Sequence, residues 1–307
     1  MMHHHLKKPT FMPANDLQAL PNSRVLLGES PLWHPQEQAL YWIDIAGLAV
    51  HRFDPVSKNH RSWSVPSEPG CIAWCADGGL LVAMRAGISI LDTERGSLHP
   101  VVDAPYDPAR IRFNDGRCDA AGRLWVGTLS DDRSQALGAL YCLERGVIKK
   151  VGNPVTVSNG LAFSLDGRTL YHADTTAHRI SAFTFDQGSG GLGEGRLFRQ
   201  FSDIKDDQYG GRPDGASVDS ENAYWCAMYE GGKLLRLSPD GSTLDEVPLP
   251  ARCPTMPAFG GRDLRTLYVT TVRNKRPGEE LRDLPLSGCV LSLRVDVPGI
   301  TEHPYRA

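Results

Sequence analysis

The stretch 164–175, SLDGRTLYHADT, joins a turn containing Asp166 and Gly167 to a run of apolar and aromatic residues. Asp-Gly pairs favour tight turns, and an apolar run after such a turn is typical of a buried strand. Five other stretches have the same order, namely 34–45 (HPQEQALYWIDI), 75–84 (CADGGLLVAM), 119–128 (DAAGRLWVGT), 219–229 (DSENAYWCAMY) and 261–271 (GRDLRTLYVTT). The sequence therefore predicts six copies of one structural unit.

The six copies align on one apolar position, which is occupied by Leu40, Leu80, Leu124, Leu170, Tyr224 and Leu267. The intervals between these residues are 40, 44, 46, 54 and 43 residues. Further strand-like runs follow each copy and, with the strand before the turn, make four strands per unit. Four antiparallel strands repeated at this period are typical of a propeller blade. We predict an all-β, six-bladed β-propeller with four antiparallel strands per blade.

The ends and insertions of the chain add to this prediction. We expect residues 1–16 to form a flexible N-terminal tail and residues 17–307 to form a single propeller domain. A strand near 21–27 (PNSRVLL) is expected to close the ring by pairing with the last blade. Two insertions, 202–215 (SDIKDDQYGGRPDG) and 273–288 (RNKRPGEELRDLPLSG), are expected to form long loops over one face, where they can cover a site.

Composition argues against several classes of function. The net charge is −3 with no long basic run, which disfavours nucleic acid or an anionic membrane as the partner. No apolar stretch approaches the roughly 20 residues of a membrane span, and the N-terminus lacks the apolar core of a signal peptide. Seven irregularly spaced cysteines fit reduced thiols better than a disulfide framework. We expect a cytoplasmic protein and leave its oligomeric state open.

Equivalent positions on the innermost strands of a propeller surround one axis. Counting back 10 or 11 residues from the aligned position reaches Glu29, Gly70, Asn114, Asn159, Asp214 and Met256. Four of these carry oxygen donors, and a mixture of carboxylates and amides suits a hard or borderline divalent cation. Each polar residue could instead form a local turn in its own blade. The shared register of the four favours a common metal site.

Neighbouring residues could supply contacts to a substrate. Arg112 lies two positions before Asn114, hence on the same face of an extended strand, and its guanidinium can hold a hydroxyl, a carboxylate or an oxyanion. Asp115 could be a second acid on the ligand side, but it is interpreted as a turn residue. Asp131 and Asp132 could reach a polar substrate or lie in a solvated loop. The motifs of serine hydrolases with a nucleophile elbow and of nucleotide-binding loops do not occur, so these chemistries have no support.

Four stretches taken together identify a family resemblance. They are 27–45 (LGESPLWHPQEQALYWIDI), 112–128 (RFNDGRCDAAGRLWVGT), 158–175 (SNGLAFSLDGRTLYHADT) and 213–241 (PDGASVDSENAYWCAMYEGGKLLRLSPDG). In this order and at blade spacing they resemble the regucalcin/gluconolactonase family of sugar lactonases. The resemblance runs from about Arg24 to the C-terminus and itself implies a six-bladed propeller.

The resemblance also implies a site. One divalent metal ion, either calcium, zinc, manganese or iron(II), is held at the channel mouth by Glu29, Asn159 and Asp214. Arg112 and Asn114 contact the sugar. Some animal members carry a substrate-binding glutamate after the strand that here ends in 127–130 (GTLS), and Asp131 or Asp132 is the expected replacement.

The implied activity is hydrolysis of a sugar aldonolactone to the aldonic acid. Gluconolactone and pentonolactones such as arabinono- and xylonolactone are the expected substrates, with the metal as Lewis acid and Asp214 as general base. A phosphotriesterase-like hydrolase is an alternative, because related propellers use a similar metal centre. A non-enzymatic calcium-binding propeller is another. The sugar-facing pair Arg112 and Asn114 favours the lactone, and the intact set of ligands argues against a scaffold.

Overall fold

The structure, a computed structural model, describes residues 16–307, apart from the side chain of Asn153. The expected tail, 1–16, lies outside the described residues except for Asp16. The described chain forms six four-stranded antiparallel sheets and one short helix, which confirms the predicted six-bladed propeller. None of its helical structure is long and apolar enough to cross a membrane.

The strands follow one another blade by blade. A short strand β1 (Gln18–Ala19) precedes blade 1, which contains β2 (Gly28–His34), β3 (Ala39–Asp44), β4 (Ala49–Phe53) and β5 (His60–Ser64). Blade 2 contains β6 (Pro69–Trp74), β7 (Leu80–Met84), β8 (Gly87–Leu91) and β9 (Leu98–Asp103). Blade 3 contains β10 (Ile111–Cys118), β11 (Leu124–Ser130), β12 (Gly138–Glu144) and β13 (Val147–Val155).

The second half of the ring repeats this order. Blade 4 contains β14 (Ser158–Phe163), β15 (Thr169–Asp174), β16 (Arg179–Asp186) and β17 (Gly191–Gln200). Blade 5 contains β18 (Arg212–Val218), β19 (Tyr224–Tyr229), β20 (Lys233–Leu237) and β21 (Thr243–Pro248). Blade 6 contains β22 (Pro254–Gly260), β23 (Thr266–Thr271) and β24 (Leu291–Arg294), with helix α1 (Gly278–Asp283) between the last two strands.

The N-terminal strand closes the ring. β1 pairs with β24, placing Gln18 opposite Ser292 and Ala19 opposite Leu291, and so becomes the outermost strand of blade 6. The sequence predicts closure by an N-terminal strand, but the strand lies just before the predicted stretch 21–27. The reason is local: proline has no N–H to donate to a sheet, and Asn22, with φ of 56°, forms a turn after the strand.

The apolar core lies between the blades. Six clusters of buried residues each draw on two neighbouring blades. In β3, Tyr41 and Ile43 pack towards blade 2 while Leu40 and Trp42 pack towards blade 6, because successive side chains of a strand point to opposite faces. The second strand of a blade is therefore buried on both faces, which explains its continuous apolar run.

Two further expectations are met. The six aligned residues of the repeat each occupy the first or second position of the second strand of a blade, and none is more than 1% exposed. All seven cysteines are free thiols, as their spacing predicts. The innermost strands β2, β6, β10, β14, β18 and β22 contact one another around the ring.

Candidate active site

Each innermost strand has a break in its pairing register, close to its beginning. The breaks lie between Glu29 and Leu32, Pro69 and Cys71, Phe113 and Gly116, Asn159 and Ala162, Pro213 and Ala216, and Pro254 and Met256. Bulges of this kind redirect side chains out of the regular alternation of a strand. Each of the six positions reached by counting back along the sequence lies at or within one of these breaks.

One cavity at this end of the channel brings together five of the predicted site residues. Its lining includes Glu29, Arg112, Asn114, Asn159 and Asp214, which come from blades 1, 3, 4 and 5. Glu29 is partly exposed and the other four are buried. A larger cleft between blades 3 and 4, of about 300 Å³ against about 110 Å³, contains none of them.

The amides and the guanidinium form one hydrogen-bonded chain across three blades. Arg112 donates to Asn114 Oδ1 at 2.9 Å, and Asn114 Nδ2 donates to Asn159 Oδ1 at 2.8 Å. Asn159 Nδ2 donates to Thr175 Oγ1 at 2.8 Å, and the Thr175 hydroxyl donates to Pro213 O at 2.7 Å. These bonds compensate the cost of burying two amides. Because a carbonyl oxygen has two lone pairs, Asn159 Oδ1 keeps one lone pair that can coordinate a cation.

The carboxyl groups of the site repel one another when they ionise. Burial, followed by the negative charges of Asp214 and Asp115, raises the pKa of Glu29. Burial and then the charge of Asp115 raise the pKa of Asp214. Burial also raises the pKa of Asp115, to about 6. Desolvation and like charge both favour the neutral acid, whereas a cation bound among the carboxylates would favour their ionised forms.

The donor set fits a divalent cation. Ser30 N, at 3.4 Å from Glu29 Oε2, is the one hydrogen-bond donor to the Glu29 carboxylate within the described residues, and the Asp214 carboxylate accepts none there. Two carboxylates and one amide oxygen are ligands of the kind that hard divalent ions prefer. Among residues 16–307, no group of three or more His, Cys, Asp or Glu side chains is placed to hold a metal ion. The expected ligand set contains two such side chains, Glu29 and Asp214, and its third member, Asn159, is an amide.

The two acids expected near the substrate lie on the loop that follows β11. Arg85 binds both oxygens of Asp131 at 3.0 Å, and it also donates to Glu68 at 2.8 Å. Asp132 accepts a hydrogen bond from Ser134 Oγ at 2.7 Å. Neither acid lines the cavity. The assignment of Asp131 to substrate binding stays a prediction. In this structure its carboxylate is paired with Arg85.

Asp115 is not a turn residue. It lies inside β10, within the register break, and it is buried. Its Oδ2 accepts a hydrogen bond from Leu161 N of the next blade at 2.8 Å, while its Oδ1 has no partner among the described residues. The sequence NDG resembles a turn, and only the position of Asp115 beside Asn114 in the repeat could have indicated a strand.

Two arginines of the cavity are absent from the predicted set. Arg133 and Arg212 both line it. Arg212 lies two positions before Asp214, as Arg112 lies two positions before Asn114, so the repeat contained a signal for this residue. Arg133 lies on a loop outside the strand pattern, and nothing in the repeat could have indicated it.

Comparisons with known proteins agree with this geometry. Residues 27–273 match the family described as SMP-30/Gluconolactonase/LRE-like region. A Pseudomonas putida protein named 6-deoxy-6-sulfogluconolactonase is 46% identical over 278 residues, 90% of this chain and 94% of its own length. The pentonolactonase XacC of Haloferax volcanii is 36% identical over 251 residues, 80% of this chain and 81% of its own length.

A solved structure shows the same fold. The crystal structure of a calcium-binding protein, regucalcin, from Agrobacterium tumefaciens superposes with a TM-score of 0.91 at 28% identity, covering 97% of this chain and 99% of its own. The family match extends over most of the ring, from the start of blade 1 into blade 6. The chain therefore belongs to the SMP-30/gluconolactonase/LRE-like family, which confirms both the resemblance seen in its motifs and the prediction of a gluconolactonase-like hydrolase.

Proposed function

We propose that this protein hydrolyses a sugar aldonolactone, of the gluconolactone or pentonolactone class, to the aldonic acid in the central cavity. The observation that carries the proposal is the convergence of two carboxylates, two amides and a guanidinium from four blades on this one cavity. Two relatives named for lactone hydrolysis support the substrate class.

Glu29, Asn159 and Asp214 would hold one divalent ion, and calcium, zinc, manganese and iron(II) are the candidates. The solved neighbour described as a calcium-binding protein makes calcium the first ion to test. When bound, such an ion polarises a carbonyl as a Lewis acid and stabilises the negative charge that develops on its oxygen.

Asp214 is the proposed general base. Its carboxylate accepts a proton from the water molecule as the water oxygen bonds to the lactone carbonyl carbon. The bond between that carbon and the ring oxygen then breaks, and the proton passes to the ring oxygen, which becomes a hydroxyl. Without a cation, burial raises the pKa of Asp214; next to a bound cation its carboxylate would stay ionised and able to accept the proton.

Arg112 and Asn114 orient the sugar. One Arg112 nitrogen is fixed by bonds to Phe113 O at 2.8 Å and to Asn114 Oδ1 at 2.9 Å. A guanidinium has five N–H groups, so others remain to donate to substrate hydroxyls. Held in this way, the side chain provides a rigid contact that positions the carbonyl over the carboxylates.

The proposal is tested by proton release from neutral glucono- and pentonolactones, corrected for spontaneous hydrolysis. We expect chelator-treated protein to be inactive and one added divalent ion to restore turnover. Asp214→Asn should lower kcat by about 10²–10⁴-fold, the range for loss of a general base. Asp240→Asn is the matched control, because it removes a carboxylate from an exposed turn of the same blade and should leave turnover unchanged.

The outcomes separate the alternatives. Lactone hydrolysis that chelation does not affect would refute the role of a metal. Turnover of phosphotriesters without turnover of lactones would favour the phosphotriesterase-like alternative. Binding of one calcium ion with no hydrolysis of either substrate would favour a calcium-binding propeller.

A further inference from the structure

Three arginines surround the cavity, and Arg133 and Arg212 have no part in the proposed reaction. Arg133 is exposed on the loop after β11. Within the described residues, no carboxylate forms an ion pair with its guanidinium. Asp131, two positions away, is held by both nitrogens of the Arg85 fork. Arg133 therefore presents a positive charge at the cavity that has no ion-pair partner within residues 16–307.

Arg212 is only partly compensated. Its one ion-pair partner in residues 16–307 is Glu230, at 3.5 Å, and the same carboxylate lies 3.0 Å from Lys205 and 3.6 Å from Arg276. The Glu230 carboxylate is thus shared by three cations, of which Arg276 also pairs with Glu280. The Arg212 guanidinium lies over the Tyr229 ring, 5.1 Å from its centroid. Its Nε is buried and has no hydrogen-bond partner within residues 16–307.

The positive charges act on one another across the cavity. Burial, and then the like charge of Arg133, lowers the pKa of Arg112 to about 10. Such repulsion is strong where water is scarce, and a negatively charged ligand relieves it. The carboxylates of the cavity, Glu29 and Asp214, are the ones assigned to the cation. Arg133 and Arg212 are therefore left to contact the part of a bound substrate that lies away from the cation.

We propose that Arg133 and Arg212 bind an anionic group on the sugar chain of the lactone and so select charged aldonolactones over neutral ones. This inference rests on the proposed function and adds a substrate class, namely lactones with a sulfonate, phosphate or carboxylate remote from the reacting carbonyl. These groups share the chemistry that a guanidinium recognises, since its planar fork donates to two oxygens of one oxyanion.

The test compares kcat/KM for four lactones that differ in one substituent at the carbon farthest from the carbonyl: hydroxyl, sulfonate, phosphate and carboxylate. We expect at least one charged lactone to exceed the neutral one by about tenfold or more. Arg133→Gln and Arg212→Gln should each lower kcat/KM for that lactone about 10- to 100-fold, chiefly through KM, as expected for loss of a charge-assisted hydrogen bond. Turnover of the neutral lactone should change less than about threefold, which also shows that the variants fold.

Lys205→Gln is the matched control. Lys205 shares Glu230 with Arg212 but does not line the cavity, so its loss should leave the preference for the charged lactone intact. Equal losses on charged and neutral lactones in the arginine variants would overturn the inference, as would efficient turnover of the neutral lactone with no preference for any charged one. Failure to hydrolyse any of the four would instead refute the proposed function.

Discussion

At the scale of single residues, Gly160 shows how a backbone position holds the site together. Gly160 follows Asn159 in the register break of β14 and has φ of 58°. Its carbonyl oxygen accepts a hydrogen bond from the Tyr224 hydroxyl at 2.8 Å, and a Cβ atom on residue 160 would overlap with that hydroxyl. Only glycine combines this conformation with so close an approach between blades 4 and 5.

We predict that Gly160→Ala lowers the free energy of unfolding by about 2–4 kcal/mol, from the positive φ and from overpacking. It should also weaken metal binding, because Asn159 precedes it in the chain. Gly146→Ala is the matched control: Gly146 has φ of 75°, but nothing lies within 4 Å of its Cβ position. Chemical denaturation of both variants separates conformational strain from packing. Equal destabilisation by the two would contradict the account of Gly160.

At the scale of strands, the repeat could be recognised in the sequence because its turn residues form hydrogen bonds that stabilise the blade. Asp119 and Asp219 open the turns of blades 3 and 5, and each carboxylate accepts the indole N–H of a tryptophan, Trp125 or Trp225, at 2.9 Å. An acidic turn residue six positions before a buried tryptophan is therefore part of the blade itself. Sequence spacing predicted the second strands and, from them, four positions on the first strands that line one cavity.

The spacing of the repeat did not predict three features of the site. Arg133 is on a loop, so no aligned position could indicate that it reaches the cavity. The assignment of Asp131 to a substrate stays a prediction, but its pair with Arg85 of blade 2 could not be predicted, because no periodicity relates loops of different blades. Asp115 was read as a turn residue because a local motif competed with its position in the repeat.

At the scale of the whole molecule, insertions and the C-terminus tie the ring together. The two long insertions meet at one carboxylate, since Lys205 from the first and Arg276 from the second both pair with Glu230. At the other end, residues after β24 cross to blades 2 and 3. Trp74 Nε1 donates to Glu302 O at 3.0 Å, and the Glu302 carboxylate pairs with the buried Arg117.

We predict that Glu302→Ala lowers the free energy of unfolding by about 2–3 kcal/mol, because it leaves the Arg117 charge buried without its partner. Glu194→Ala, at an exposed position of β17, is the matched control and should change stability by less than about 0.5 kcal/mol. Denaturant titration of the two variants measures the difference. If the free energy of unfolding fell no more in Glu302→Ala than in the control, the C-terminal segment would not stabilise the propeller through this pair.

The central claim is that residues from three blades form one metal site, and calorimetric titration of chelator-treated protein with a divalent ion tests it most directly. We expect one equivalent of calcium, or of whichever candidate ion binds most tightly, to bind the unaltered protein. Glu29→Gln, Asn159→Ala and Asp214→Asn should each weaken binding by about tenfold or more, because each removes either a ligand or the negative charge of a ligand. Arg112→Gln should keep the stoichiometry of one, because Arg112 is placed on the substrate. Unchanged affinity in the three ligand variants would contradict the claim.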